Sequence, residues 1–377
     1  MHNGHVRIMV AGIGGGGGNA VDQIARACSG SGIEFVCINT DARALGVVSV
    51  PRTLQIGDKL THGFGSGARP EIGHQAAEED YDKIRDLFTD VDLAFLAAGL
   101  GGGTGTGASP VIAKAAKDAG ALTIAIVTKP FSFEGAKRAE VASTGLLELR
   151  QTVDTVICIP NDRITKLSHE QTRLEEAFRM TDDVLQQGVS AISELISRVG
   201  IVNIDYGDIA TVLREPGDAM IGFGEASGEN CATKAARYAM ASPLLERNDI
   251  VGAKEVLVSI TGGRDIKMKD VQEAVQCIHN EIRAEAHVIF GVITREELEG
   301  RAHVTMVATG LPDPRKQQHR HSRVVKIPGG GAPMQPSLPL AMDAGLFAGI
   351  EPTVVNMVNY DTPTFARWGR RLLSDAA

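Results

Sequence analysis

The chain has 377 residues, 43% of them hydrophobic and 4% aromatic, which allows two domains and a large core. Its formal net charge of −8 argues against a general nucleic-acid binder. No apolar stretch is long enough to span a bilayer, and residues 1–5 do not read as a signal peptide. The five cysteines, Cys28, Cys37, Cys158, Cys231 and Cys277, are scattered and form no Cys-x-x-Cys pair. They predict buried, reduced thiols in a cytosolic protein.

The apolar run 6–11 predicts a strand. It leads into Gly12-Ile13-Gly14-Gly15-Gly16-Gly17-Gly18-Asn19 and then the amphipathic Ala20-Val21-x-x-Ile24-Ala25. A flexible linker would not sit between a buried strand and such a helix. Gly12-x-Gly14-x-x-Gly17 also fits a dinucleotide fingerprint, with Asp41 at the end of the next strand, 35–39. Runs at 93–98, 122–127 and 155–159 suit a parallel sheet buried on both faces. The first of these opens onto a second glycine loop, Gly101-Gly102-Gly103-Thr104-Gly105-Thr106-Gly107. Strand, glycine turn and helix together aim backbone N–H groups and a helix N-terminus at a phosphate. Glycine allows close approach and positive φ, and the hydroxyls of Thr104 and Thr106 add donors. Two such loops hold a di- or triphosphate from two sides. No Gly-x4-Gly-Lys-Ser/Thr occurs, which excludes an ordinary P-loop enzyme.

Further on, Glu134 and Arg138 share a helix face as an i,i+4 pair, readable either as a surface ion pair or as part of a site. A helical pattern at 174–199 is long enough to join two domains and carries Phe178 and Asp182, again four apart. On residues alone these two read as a core Phe and a surface Asp. A carboxylate placed in a base pocket would instead accept the adjacent N1–H and N2–H2 donors of guanine, which adenine lacks. Asn203, Asp205 and Asp208 precede a short helix, and Asp205 with an acid three residues on is a good helix start in its own right. Strands at 256–260 and 303–307 and helices near 230–241 and 268–283 follow. From Pro312 the pattern ends in basic residues, glycines and prolines, read as a disordered linker to about 356.

These motifs resemble the FtsZ family, prokaryotic relatives of tubulin. The resemblance covers roughly 6–310. It rests on the second glycine loop together with Ile38-Asn39-Thr40-Asp41-Ala42, Pro70-Glu71-Ile72-Gly73 and Thr128-Lys129-Pro130-Phe131-x-Phe133-Glu134-Gly135. It continues through Ile159-Pro160-Asn161-Asp162, Asn203-Ile204-Asp205, Ser227-Gly228-Glu229-Asn230, Ser242-Pro243-Leu244-Leu245-Glu246 and Ile260-Thr261-Gly262-Gly263. It implies a Rossmann-like α/β GTPase domain (1–173), a long central helix (174–200) and a smaller α+β domain with the catalytic loop (201–311). A disordered linker (312–356) and a C-terminal partner-binding peptide (357–377) follow.

The same resemblance implies GTP and GDP as ligands, held by Gly15, Gly16, Gly17, Gly18 and Asn19 and by Gly101, Gly102, Gly103, Thr104, Gly105 and Thr106. Glu134 and Arg138 would meet the ribose and base edge, and Asn161, Phe178 and Asp182 the base. Asn203, Asp205 and Asp208 would act in trans on the next subunit's nucleotide. Mg2+ would enter through the phosphates, with no direct side-chain ligand. The implied role is head-to-tail polymerisation into the division ring at midcell, on the inner face of the membrane. Asp361, Pro363, Phe365 and Arg367 of the tail would bind membrane-tethering adaptors such as FtsA; direct lipid contact through Trp368 and its arginines is the rival. The sequence departs from the family at Arg69, Tyr206, Gly207, Cys231, Thr362 and Trp368. Arg69 either stabilises phosphate charge or faces solvent. Two other classes stand beside this one: a GTP-binding structural filament with little hydrolysis, and a dinucleotide-dependent oxidoreductase.

Overall fold

A computed structural model describes residues 6–28, 32–165, 171–197, 200–214, 218–245, 250–282 and 286–311, and the short segments 354–355 and 358–359. The first half alternates strands and helices. In chain order these are β1 (Ile8–Ile13), α1 (Gly14–Ala27), β2 (Glu34–Asn39), α2 (Ala42–Val47) and β3 (Thr53–Gln55). Then come α3 (Asp58–Thr61), α4 (Pro70–Glu79), α5 (Tyr81–Leu87), β4 (Leu93–Gly99) and α6 (Thr104–Asp118). β5 (Leu122–Lys129), α7 (Ala136–Thr152), β6 (Thr155–Pro160) and the single turn α8 (Asn161–Ile164) close this half. The long α9 (Leu174–Ser197) and the short α10 (Tyr206–Leu213) lead to the second half. It comprises β7 (Asp218–Ser227), α11 (Cys231–Met240), β8 (Glu255–Gly262), α12 (Met268–Glu281), β9 (His287–Thr294) and β10 (Arg301–Thr309).

The strands form one sheet in the order β3-β2-β1-β4-β5-β6-β7-β10-β8-β9. Strands β3 through β7 are parallel neighbours. β10 runs antiparallel between β7 and β8, and β9 is parallel to β8. The strand order reverses direction between β1 and β4, which is where doubly wound sheets open a crevice at their C-terminal ends.

Alternation explains the continuous apolar runs. In β1, Ile8 and Val10 join the core under α1 and α9, while Met9, Ala11 and Ile13 join the core under α4 to α7. In β4, Leu93, Phe95 and Ala97 face the first core and Ala94, Leu96 and Ala98 the second. Successive side chains point to opposite faces, so a strand covered on both sides is apolar throughout. α9 buries Val184, Leu185, Val189, Ile192 and Leu195. These share one cluster with Ile126 and Ile157 on one side and Leu257, Ile293 and Val307 on the other. The central helix thus runs along both halves, about 36 Å at 1.5 Å per residue. A third core, around Ala235, Val258, Ile278 and Met306, fills the second half.

Three expectations change. The first glycine run is not a loop: α1 starts at Gly14, so its glycines form the opening turn of a helix. Strands β7 and β9 were not anticipated, and β8 and β10 extend beyond the expected runs. Of the thiols only Cys37 is buried; Cys28, Cys158, Cys231 and Cys277 are half-buried, and no disulfide joins them. Burial pushes the Cys37 thiol up to about 12, which keeps it protonated and unreactive.

Among the described residues no helix is long and apolar enough to cross a membrane. Separately, β11 (Val354–Val355) pairs antiparallel with β12 (Val358–Asn359), straddling the boundary expected at 356/357. The rest of the linker and the peptide, with Asp361, Pro363, Phe365 and Arg367, lies outside the described residues.

Candidate functional site

At the reversal of strand order, the C-terminal ends of β1 and β4 open into a cleft of about 380 Å³. Gly15, Gly16 and Asn19 of α1 line one wall, and Gly102, Gly103, Thr104 and Gly105 at the start of α6 line another. Neither helix has a side-chain cap or an acid in its first turn. Their leading N–H groups and positive dipole ends are therefore unneutralised, which suits an anion. Gly14 turns the chain into α1 with φ at +70°, a conformation costly for other residues. Gly17 serves packing: a side chain there would overlap the carbonyl of Ala97 in β4.

The far end of the cleft is built by the β5 and β6 termini and α9. Phe178 is 41% exposed and meets Phe131 edge-on, with ring centroids 5.3 Å apart. Phe131 in turn stacks on Phe133 at 5.0 Å. Asp182 lies one turn beyond Phe178 and lines the same cleft. Burial first, and the neighbouring Asp183 carboxylate second, push its carboxyl up to about 7. Asn161 also lines the cleft, is buried, and has an Oδ1 with no partner among the described residues. Two acceptors waiting at one end of a cleft fit a base that presents adjacent N–H groups.

Glu134 accepts from the Phe131 backbone N–H at 2.9 Å and from Arg138 Nη1 at 2.5 Å. The two form an i,i+4 ion pair, and both members line the cleft. Gly17, Gly18, Gly101 and Thr106 do not line it. Thr106 Oγ1 instead accepts from the Gly101 N–H at 2.8 Å, a staple across the second glycine turn. Sequence reasoning missed Ser66, Thr128, Pro130 and Thr181, which do line the cleft. Thr128 and Pro130 sit in a motif already singled out, and Ser66 directly precedes Gly67-Ala68-Arg69, which resembles the family's γ-phosphate loop, though Ser66 itself was not named.

The predicted catalytic residues are elsewhere. Asn203, Asp205 and Asp208 are exposed and do not line the cleft. Tyr206, the first residue of α10, donates its hydroxyl to the Asp92 carbonyl at 2.7 Å. Asp92 immediately precedes β4, whereas Gly99 at the other end of β4 lines the cleft. The acids therefore lie near the opposite, N-terminal end of β4, about 20 Å away at roughly 3.3 Å per strand residue. Asp205 occupies the N-cap position of α10, but its side chain caps nothing, so its carboxylate is not spent on the helix. Asn203 Oδ1 accepts from the Gly200 N–H at 2.6 Å. Arg69 is exposed at the start of α4, and its side chain makes no ion pair among the described residues. Cys231 opens α11 and packs on the second-half core.

Residues 7–169 match the GTPase domain of the Tubulin/FtsZ family, and residues 217–312 match the C-terminal domain of the FtsZ family. The structure is similar to an empty FtsZ dimer from M. jannaschii, with a TM-score of 0.77 at 37% identity, covering 82% of this chain and 89% of that one. The chain belongs to the FtsZ family. It is 48% identical to the cell division protein FtsZ of Bartonella bacilliformis over 305 residues, 81% of this chain and 51% of the relative. Against FtsZ 1 of Rhizobium meliloti the identity is 46%, over 81% of this chain and 52% of the relative. The chain thus spans about half the length of these curated relatives. Membership in FtsZ sets aside the oxidoreductase reading. Asp41 agrees: its carboxylate accepts from the N–H groups of Arg43 and Ala44 as the N-cap of α2, so it is engaged in the fold.

Proposed function

We propose that the chain binds and hydrolyses GTP in this cleft and polymerises head-to-tail, each subunit completing its neighbour's site, to form the division ring. The observation that carries the reading is the separation of the cleft from Asp205 and Asp208. The cleft's own acids, Glu134 and Asp182, lie away from the glycine turns, and the exposed acids at the far end of the strands are free to meet a second copy. Such a contact is heterologous and does not close, so it propagates.

Asp182 takes the guanine N1–H and N2–H2 donors, Asn161 Oδ1 adds an acceptor, and Phe178 offers its ring face. Glu134 and Arg138 meet the ribose side. Gly15, Gly16, Asn19 and Gly102 to Gly105 hold the phosphates. Asp205 and Asp208 of the next subunit orient the attacking water. Phosphoryl transfer needs little covalent help, so positioning and charge stabilisation supply the catalysis.

Among the described residues no three His, Cys, Asp or Glu are grouped to hold a metal. Of the carboxylates on the cleft, Glu134 is taken by Arg138 and Asp182 lies at the base end. Mg2+ is expected to enter with the phosphates that the glycine turns carry, where it would neutralise their charge.

Light scattering with GTP against GDP, run beside phosphate release, tests the whole reading. Scattering that rises only with GTP, with release that needs assembly, is expected; scattering with negligible release leaves a structural filament former. The C-terminal peptide is the proposed adaptor site, for partners such as FtsA, with Phe365 as apolar anchor and Arg367 facing acidic groups. Co-sedimentation of that peptide with anionic vesicles, without any adaptor, should be negligible; strong binding would favour direct lipid contact.

A further inference from the structure

Thr104 opens α6 and lines the cleft, and its hydroxyl belongs to a buried chain of three. Its Oγ1 lies 2.7 Å from Thr40 Oγ1 and 3.1 Å from Ser66 Oγ. The three come from separate segments: the turn after β2, the loop between α3 and α4, and the second glycine turn. Thr40, Ser66 and Thr104 are 0%, 6% and 8% exposed. The Ser66 loop is pinned in place by the Gly65 N–H on the Thr40 carbonyl at 3.2 Å and the Ala42 N–H on the Gly63 carbonyl at 3.1 Å.

A hydroxyl carries one proton and two lone pairs. If Thr104 donated to Thr40 or Ser66, it would have nothing to offer a phosphate. If both neighbours donate into it, its lone pairs are filled and its one proton is left for the cleft. Such chains strengthen one another where water is excluded. Position in the sheet says which phosphate is met. Asn161, Phe178 and Asp182 follow β6, on the β5–β6 side of the cleft, whereas Thr40 and Ser66 belong to the β2–β3 side. A nucleotide lying from one side to the other ends with its terminal phosphate at the hydroxyl chain.

We infer that Ser66 and Thr40 are positioning residues that fill the lone pairs of Thr104 and so aim its single proton at the terminal phosphate. The inference rests on the GTP reading above. Its test is the GTP and GDP affinity of the nucleotide-free full chain and of three variants, with Mg2+ present. Ser66→Ala and Thr40→Val should each weaken GTP about tenfold while GDP changes by less than about twofold, since only GTP carries the phosphate concerned. Thr40→Ser keeps the hydroxyl and should bind both as the parent chain does. Equal losses for GTP and GDP, or unchanged GTP affinity in both hydroxyl-less variants, would overturn the positioning role while leaving GTP binding intact. A parent chain that binds neither nucleotide would overturn the GTP reading, and this inference with it.

Discussion

The carboxyl of Asp182, held up at about 7 by burial and by Asp183, must ionise to accept two guanine donors. Binding therefore releases a proton below that point. GTP affinity should rise about tenfold between about pH 6 and about pH 8 and then level off, measured by calorimetry in buffers of differing ionisation enthalpy. Asp182→Asn should weaken GTP by roughly 2–4 kcal/mol and flatten the pH profile. In the empty protein the effect on stability has the opposite sense. A folded pKa above the unfolded one gives stability that is present below about pH 4 and lost as pH rises through about 7. Above that pH the same Asp182→Asn should raise the melting temperature of the nucleotide-free chain; a lowered one would place a donor on Asp182. The i,i+4 spacing of Phe178 and Asp182 was visible in the sequence, but only the family motif made them a base pocket. Thr40 stood in a quoted motif and Ser66 beside one, but their meeting with Thr104 was not visible. Their contacts with Thr104 cross 64 and 38 residues, and no local period marks such a meeting.

At the scale of one element, α10 holds its own tests. Gly207 lies in its first turn, with no heavy atom within 4 Å of where a Cβ would stand and no positive φ. Gly207→Ala should stabilise the chain by about 0.5–1 kcal/mol, read as a denaturation midpoint shifted at constant slope. Tyr206→Phe loses one hydrogen bond, but the Asp92 carbonyl keeps the Leu122 N–H at 2.9 Å and is not orphaned. The cost should be near 1 kcal/mol, with faster amide exchange across α10 and unchanged GTP affinity. A helix start at Asp205 was legible from its N-cap signature, yet the carboxylate that suggested capping makes no cap bond. β7 hid because Gly222 and Gly224 read as strand breakers. The glycines of α1 read as a loop for the same reason, since propensity gives glycine no place in a helix.

For the whole molecule, the separation of cleft and acids predicts complementation in a mixture. Asp208→Ala alone should bind GTP yet hydrolyse it about 10²-fold more slowly. Asp182→Asn keeps the acids but binds nucleotide poorly. Mixed in equal amounts, the two should recover up to about a quarter of the parent turnover, because one contact in four joins an intact cleft to intact acids. A mixture no better than the sum of its parts would place the acids in their own subunit's reaction. The parallel half of the sheet was legible because strands buried on both faces announce themselves as unbroken apolar runs. In the mixed second half β8, β10 and both helices were read, but β7, β9 and the strand order were not, since that pairing is set by contacts between residues distant in sequence.

The joint between the two halves has a mechanical meaning. Among the described residues β6 and β7 share two residue pairs, Val156 with Asp218 and Ile157 with Ala219, whereas β10 pairs eight residues with β7. Arg150 bridges to Asp218 beside that seam at 2.6 Å, Arg163 Nη1 donates to the Leu245 carbonyl at 2.8 Å and Arg295 pairs with Glu194, and most of the remaining contact is the apolar surface along α9. Hydrogen bonds are directional and resist rotation, whereas apolar contact resists separation and tolerates sliding. Each link of the proposed filament then carries within itself a joint with few strand-to-strand hydrogen bonds. Its bending stiffness would be fixed by the interior of the subunit as much as by the contacts between subunits, and a filament under load would store curvature there first.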